Sequence, residues 1–129
     1  MKANMLCWFE IPVSNMERAV KFYETVFNIK ITVQEFCGTQ MGWFPASEDK
    51  DAAGAGGSLI YNPKHYSPGT NGVLIYLSSQ VDDVSVELNK VEAAGGKPIV
   101  EKMQITEEIG YMAAFIDTEG NRIAIHSKN

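Results

Sequence analysis

Apolar and polar positions alternate along residues 6–13, placing Trp8, Glu10 and Pro12 on one side of an extended strand and Cys7, Phe9, Ile11 and Val13 on the other. The second set is the apolar one and is expected to pack beneath a helix. Such a helix follows directly. Met16, Ala19, Val20, Tyr23, Val26 and Phe27 recur at spacings of three and four, which draws one apolar stripe along a helix of about three turns. Ser14 and Glu17 stand as a capping box at its start, and Asn28 suits the left-handed residue that ends it.

Beyond the helix, Ile29, Ile31 and Val33 alternate with Lys30, Thr32 and Gln34, the pattern of a half-buried strand. Gly38 marks a turn, and residues 39–44 read as the hairpin partner, closed by Pro45. Residues 46–57 are small, polar and glycine-rich, a mobile loop without the GxxxxGK[ST] spacing of a phosphate cradle. Residues 58–61 make a fourth strand. Residues 62–71, with Pro63, Pro68 and Gly69, form a linker.

The programme then repeats. A strand at 73–77 leads to a helix over 82–94 with Val84, Leu88 and Val91 on one face; Asp82 and Asp83 suit its positive end, and Gly95 and Gly96 stop it. Strands at 99–103, 110–117 and 122–127 complete the second half, the last two joined by a turn at Thr118, Glu119, Gly120 and Asn121. Each half is strand, helix and three strands. Residues 1–129 are therefore expected to form a single domain of two like modules, 1–61 and 72–129, with 62–71 between them.

A chain of 129 residues with 45% hydrophobic and 21% charged residues can bury one core. A net charge of −5 with scattered Lys and Arg counts against nucleic acid as a partner. No stretch approaches the ~20 apolar residues of a membrane span, and the N-terminal run is too short and interrupted for a secretory signal, so the cytoplasm is the expected compartment. Cys7 and Cys37 lack CxxC spacing; reduced, partly buried thiols are expected.

Three stretches carry a resemblance: Ile11-Pro12-Val13-Ser14-Asn15-Met16-Glu17-Arg18-Ala19 leading into Phe22-Tyr23; Val81-Asp82-Asp83-Val84 with Ala93-Ala94-Gly95-Gly96; and Phe115-Ile116-Asp117-Thr118-Glu119-Gly120-Asn121-Arg122-Ile123. Together they resemble the glyoxalase, bleomycin-resistance and extradiol-dioxygenase superfamily, also called vicinal oxygen chelate, across nearly the whole chain. The resemblance implies an α+β fold: two paired βαβββ modules whose curved sheets form a half-barrel around a pocket, often as a homodimer. In the superfamily's metalloenzymes, His, Glu or Gln from the first and last strands of each module hold a divalent metal that chelates two substrate oxygens.

Carried over by position, the first-strand ligand falls at Trp8, the last-strand Glu at Ala124, and the ligand opening the second half near Leu74, while residues 58–61 offer no His, Glu or Gln. The usual metal site is dismantled at these positions. With two histidines in the chain, and His65 in the linker, the ligands for a catalytic metal are also short by count.

Strand parity turns Trp8 and Glu10 inward from the first strand and Ala124 and His126 inward from the last, and the topology implied by the resemblance puts the strand of Tyr76 between them. The expected catalytic set is Glu10, His126 and Tyr76: an imidazole to shuttle a proton, a carboxylate to orient it or act as base, and a phenol to donate to an enolate oxygen. Trp8, Trp43 and Tyr61 are the expected ligand wall, with core packing the plainer role for each aromatic. Two functions remain open. One is a glyoxalase-like small-molecule binding protein or enzyme without the usual metal, with no cofactor required. The other is a divalent-metal lyase, isomerase or dioxygenase with Glu10 and His126 as displaced ligands. Asp82 and Asp83 read as helix capping rather than as a carboxylate pair.

Overall fold

In the computed structural model, which describes residues 1–129, the first module runs β1 (Trp8–Pro12), α1 (Met16–Phe27), β2 (Thr32–Phe36), β3 (Thr39–Trp43) and β4 (Gly56–Tyr61). The second runs β5 (Ile75–Ser78), α2 (Val84–Val91), β6 (Lys97–Thr106), β7 (Gly110–Ile116) and β8 (Arg122–Ser127). Each module makes its own four-stranded sheet, in the orders β1-β4-β3-β2 and β5-β8-β7-β6. In both, the first strand lies parallel to the last and the remaining pairs are antiparallel. The architecture is α+β, a pair of βαβββ modules. The two sheets stay separate, so they do not close into a barrel.

The internal duplication can be registered residue by residue. Val13 donates its backbone N–H to Ile60 at 2.9 Å, and Ser79 makes the same bond to His126 at 2.8 Å. Counting back along the ladders from these bonds makes Trp8 equivalent to Leu74, Glu10 to Tyr76 and Ser58 to Ala124. The paired registers Glu10 with Ser58 and Tyr76 with Ala124 agree with that assignment.

The modules meet through their helices and the apolar strand faces beneath them. Ile11, Val13 and Leu59 from the first sheet join Phe22, Tyr23 and Val26 of α1, Val84, Leu88 and Val91 of α2, and Phe115, Ile123 and Ile125 of the second sheet in one buried cluster. Full burial of one such side chain is worth about 1.5–3 kcal/mol. The Phe22 and Phe115 rings, one from each module, lie 5.6 Å apart. The strand backbones of the two sheets stay apart, with no strand Cα of one within 8 Å of a strand Cα of the other.

Local chemistry shifted several boundaries from those expected. The α1 cap is Asn15, whose side chain accepts from the Arg18 N–H at 3.0 Å. Ser14 is not the cap, because its N–H and hydroxyl both turn to the Glu119 carboxylate. Asn28 ends α1 in the left-handed region, φ 53°. Helix α2 is shorter than its apolar pattern: Asp83 caps it, while Asp82, at φ 54°, accepts from the Lys128 backbone N–H and the Asn129 side-chain amide. Strand β4 begins at Gly56, so two glycines of the expected loop belong to the sheet. Phe9 explains one of them, since a Cβ on Gly57 would run into its ring. The β2–β3 hairpin turns on Cys37 and Gly38, both at positive φ, which fits a two-residue connection. Both cysteines are exposed, where partial burial was expected. No helix is long and apolar enough to cross a membrane.

Candidate functional site

The parity expected for β1 holds. Ile11 and Val13 are buried against the helices, while Trp8, Glu10 and Pro12 look out from the opposite face. Trp43, Ser58 and Glu10 stand on one rung across β3, β4 and β1. One rung away, the Trp8 ring leans over Gly56 and meets Trp43 edge to face, with centroids 5.6 Å apart and planes at 68°. Both indoles keep about 40% of their surface exposed, 39% for Trp8 and 41% for Trp43.

Glu10 is half-buried and accepts a hydrogen bond from the Tyr66 phenol at 2.9 Å. No Lys, Arg or His of the chain pairs with it. The bond to Glu10, and then its charge, push the Tyr66 phenol above its ordinary pKa of 10.0. Beside Glu10 on the rung, Ser58 is fully buried, and its hydroxyl has no hydrogen-bond partner.

Tyr66 is the site residue that sequence reasoning missed. It lies in the linker, which is folded rather than free: the His65 and Tyr66 N–H groups turn back to the Asn62 carbonyl at 3.1 and 2.9 Å, and the Gly69 N–H donates to Asn121 at 3.1 Å. An aromatic residue amid the linker's prolines and polar groups was the available signal. Which strand it would reach was not readable.

The second sheet offers a comparable face. Tyr76 pairs with Ala124, and His126 lies between Ser78 and Met112. The His126 Nε2 is 2.7 Å from the Ile109 carbonyl oxygen, which can only accept, so Nε2 carries the proton.

The expected convergence of Glu10, Tyr76 and His126 does not occur within one chain. Strand β5, with Tyr76, is the edge of the second sheet and does not lie between β1 and β8. The modules join through their helices, which leaves the two strand faces apart. Tyr61 is also placed differently. It shares the helix-facing side with Leu59 and packs against the core, lining a groove of about 510 Å³ with Met16, Val20 and Val33. It is therefore on the opposite side of β4 from Ser58 and the indoles.

The superfamily's usual metal centre does not fit these residues. The equivalences put Trp8, Ser58, Leu74 and Ala124 at the four expected ligand positions: an indole, a hydroxyl and two aliphatic groups. The displaced candidates Glu10 and His126 lie on different sheets, and no three His, Cys, Asp or Glu side chains gather as a metal site would require. Asp82 and Asp83 are occupied in tying down the C-terminus and capping α2.

Two βαβββ modules joined through their helices, each with an open strand face, define a paired-module α+β protein. The chain belongs to the Glyoxalase/Bleomycin resistance protein/Dioxygenase superfamily, whose family model matches residues 6–125. A glyoxylase-like domain-containing protein of Didymella fabae is 29% identical over 120 residues, 90% of this chain and 88% of that one. Among solved structures, a glyoxylase/bleomycin resistance protein/dioxygenase domain from Frankia sp. EAN1pec superposes with a TM-score of 0.70 at 12% identity, over 95% of this chain and 96% of that one. Glyoxalase I from Zea mays superposes with a TM-score of 0.69 at 21% identity; 95% of this chain is covered, but it spans only 46% of the maize chain. At these identities the structural likeness concerns the fold alone.

Proposed function

We propose that this chain is a glyoxalase-like small-molecule binding protein that receives its ligand on the open strand faces and lacks the superfamily's usual metal ligands. One observation carries the reading: the four ligand positions hold Trp8, Ser58, Leu74 and Ala124, while the Trp8 and Trp43 indoles stand open beside them. Glu10 and His126 are the polar groups available for acid–base work. Because the two faces lie apart in one chain, the proposal includes a homodimer in which the first sheet of one copy faces the second sheet of the other, bringing Glu10 opposite a partner's Tyr76 and His126. Elemental analysis of protein purified without chelator, combined with a thermal-shift screen of metals and metabolites, tests the reading, since a ligand of the folded state raises apparent stability by mass action. Stoichiometric divalent metal overturns it; stabilisation by an organic metabolite in metal-free protein supports it.

A second reading is a metal-dependent lyase, isomerase or dioxygenase with Glu10 and His126 as displaced ligands. It is favoured by the two-residue displacement of each from the usual position, which keeps both side chains on the open faces. Unchanged metal content in Glu10→Gln and His126→Ala proteins would remove its support.

A further inference from the structure

We propose that the open face of the first sheet is a receptor for an organic cation, an alkylated ammonium group carrying a hydroxyl or N–H donor nearby. The inference rests on reading this face as a small-molecule site and names the ligand class. Glu10 is fixed in place by Tyr66 at 2.9 Å, yet no cation of its own chain approaches it, and the imidazole that the proposed dimer brings opposite, the partner's His126, already commits its Nε2 proton to Ile109. A half-buried carboxylate without a counter-charge favours a ligand that supplies one. Two indoles share its face, and the π cloud of an indole attracts a cation more strongly than any other side-chain ring. Carboxylate and indoles therefore select in the same direction: an anion would be repelled by Glu10, and a neutral apolar ligand would leave it unpaired. The net charge of −5 adds a weak field of the same sign.

Ser58 supplies the second half of the specificity. Its hydroxyl is buried between Glu10 and Trp43 on one rung and has no partner. A buried hydroxyl left unpaired is costly, and a donor a few bonds from the ammonium centre would satisfy it.

The experiment uses a property of this chain: both of its tryptophans stand at the site, so tryptophan emission reports on that face. Emission is titrated with choline, with tetramethylammonium, and with 3,3-dimethyl-1-butanol, a neutral analogue in which carbon replaces the charged nitrogen. Saturable change is expected with choline and weaker change with the neutral alcohol. Glu10→Gln, whose amide oxygen can still accept from Tyr66, is expected to weaken choline about tenfold or more. Ser58→Ala is expected to narrow the preference for choline over tetramethylammonium. If the neutral alcohol binds as tightly as choline and Glu10→Gln changes nothing, the cation assignment is overturned while the small-molecule reading stands. If none of the three probes alters emission up to about 10 mM, this ligand class is overturned, and metabolite stabilisation in the thermal-shift screen then decides the broader reading separately.

Discussion

Glu119, on the turn between β7 and β8, reaches into the other module and binds the start of α1. Its Oε1 accepts from the backbone N–H groups of Ser14 and Asn15 at 2.9 and 2.8 Å, and Arg18 clamps both of its oxygens, Nε to Oε2 at 2.8 Å and Nη2 to Oε1 at 3.0 Å. The carboxylate thus sits at the positive end of a helix dipole and fastens one half of the duplication to the other.

Replacing this residue should loosen the whole domain. Glu119→Gln keeps the size but removes the charge, and is expected to cost about 2 kcal/mol at neutral pH. Burial works against the ionised form, yet the hydrogen bonds from Arg18, Asn15, Thr118 and Ser14 outweigh it and hold the carboxyl at about 2, down from an ordinary 4.5. A depressed folded-state pKa gives stability that is complete above the unfolded value and is lost as pH falls toward 2. Urea melts should therefore show the gap between wild type and variant closing as pH drops through that window. A gap that persists at acid pH would refute the account.

Tyr23 makes a second tie. Its buried hydroxyl donates to Asp117 at 2.6 Å, and burial first, then the Asp117 charge, raise its pKa well above 10.0. A raised folded-state value means this contribution is intact below about pH 10 and is lost as pH rises through the folded-state pKa. Ultraviolet titration should find one of the five tyrosines silent until the protein unfolds, and Tyr23→Phe should lower stability by about 2 kcal/mol.

Gly57→Ala probes the contact that draws the loop into β4. The new methyl must displace the Phe9 ring, which itself packs on Phe44 with centroids 5.5 Å apart. A loss of about 1–3 kcal/mol is expected in thermal or urea unfolding. Stability equal to wild type would show that the ring yields freely.

The phenol at the site offers its own readout. Since hydrogen bonding to Glu10 is the main cause of the raised Tyr66 pKa, Glu10→Ala, which removes the acceptor and the charge together, should return that phenol toward 10.0, visible by comparing ultraviolet titrations of the two proteins. An unchanged titration would mean that the pair does not persist in solution.

Much of this fold is legible in the sequence because the signals are local. The three-and-four spacing of Met16, Ala19, Tyr23 and Val26, the left-handed Asn28 and the strand at 122–127 all reappear as read. The open-face positions of Trp8 and Glu10 follow from strand parity alone. What sequence could not supply depends on distance along the chain. Ser14 looks like a cap until Glu119, 105 residues away, takes both its donors. Tyr61 looks like a pocket aromatic until the register of β4 sends it to the helix side. Tyr66 reaches Glu10 across 56 positions, and no periodicity announces such a bond. The separation of Glu10 from His126 likewise depends on how two similar halves dock, about which each half's own pattern is silent.

Because the modules are held together through the helix-facing sides of their strands, odd and even positions of β1 carry different obligations. Ile11 and, just past the strand, Val13 belong to the buried cluster, and Trp8 and Glu10 stand outside it. Exchanges on the open face can then accumulate without threatening the domain, so a lineage could trade one binding chemistry for another by altering every second residue of a few strands while inheriting the same scaffold.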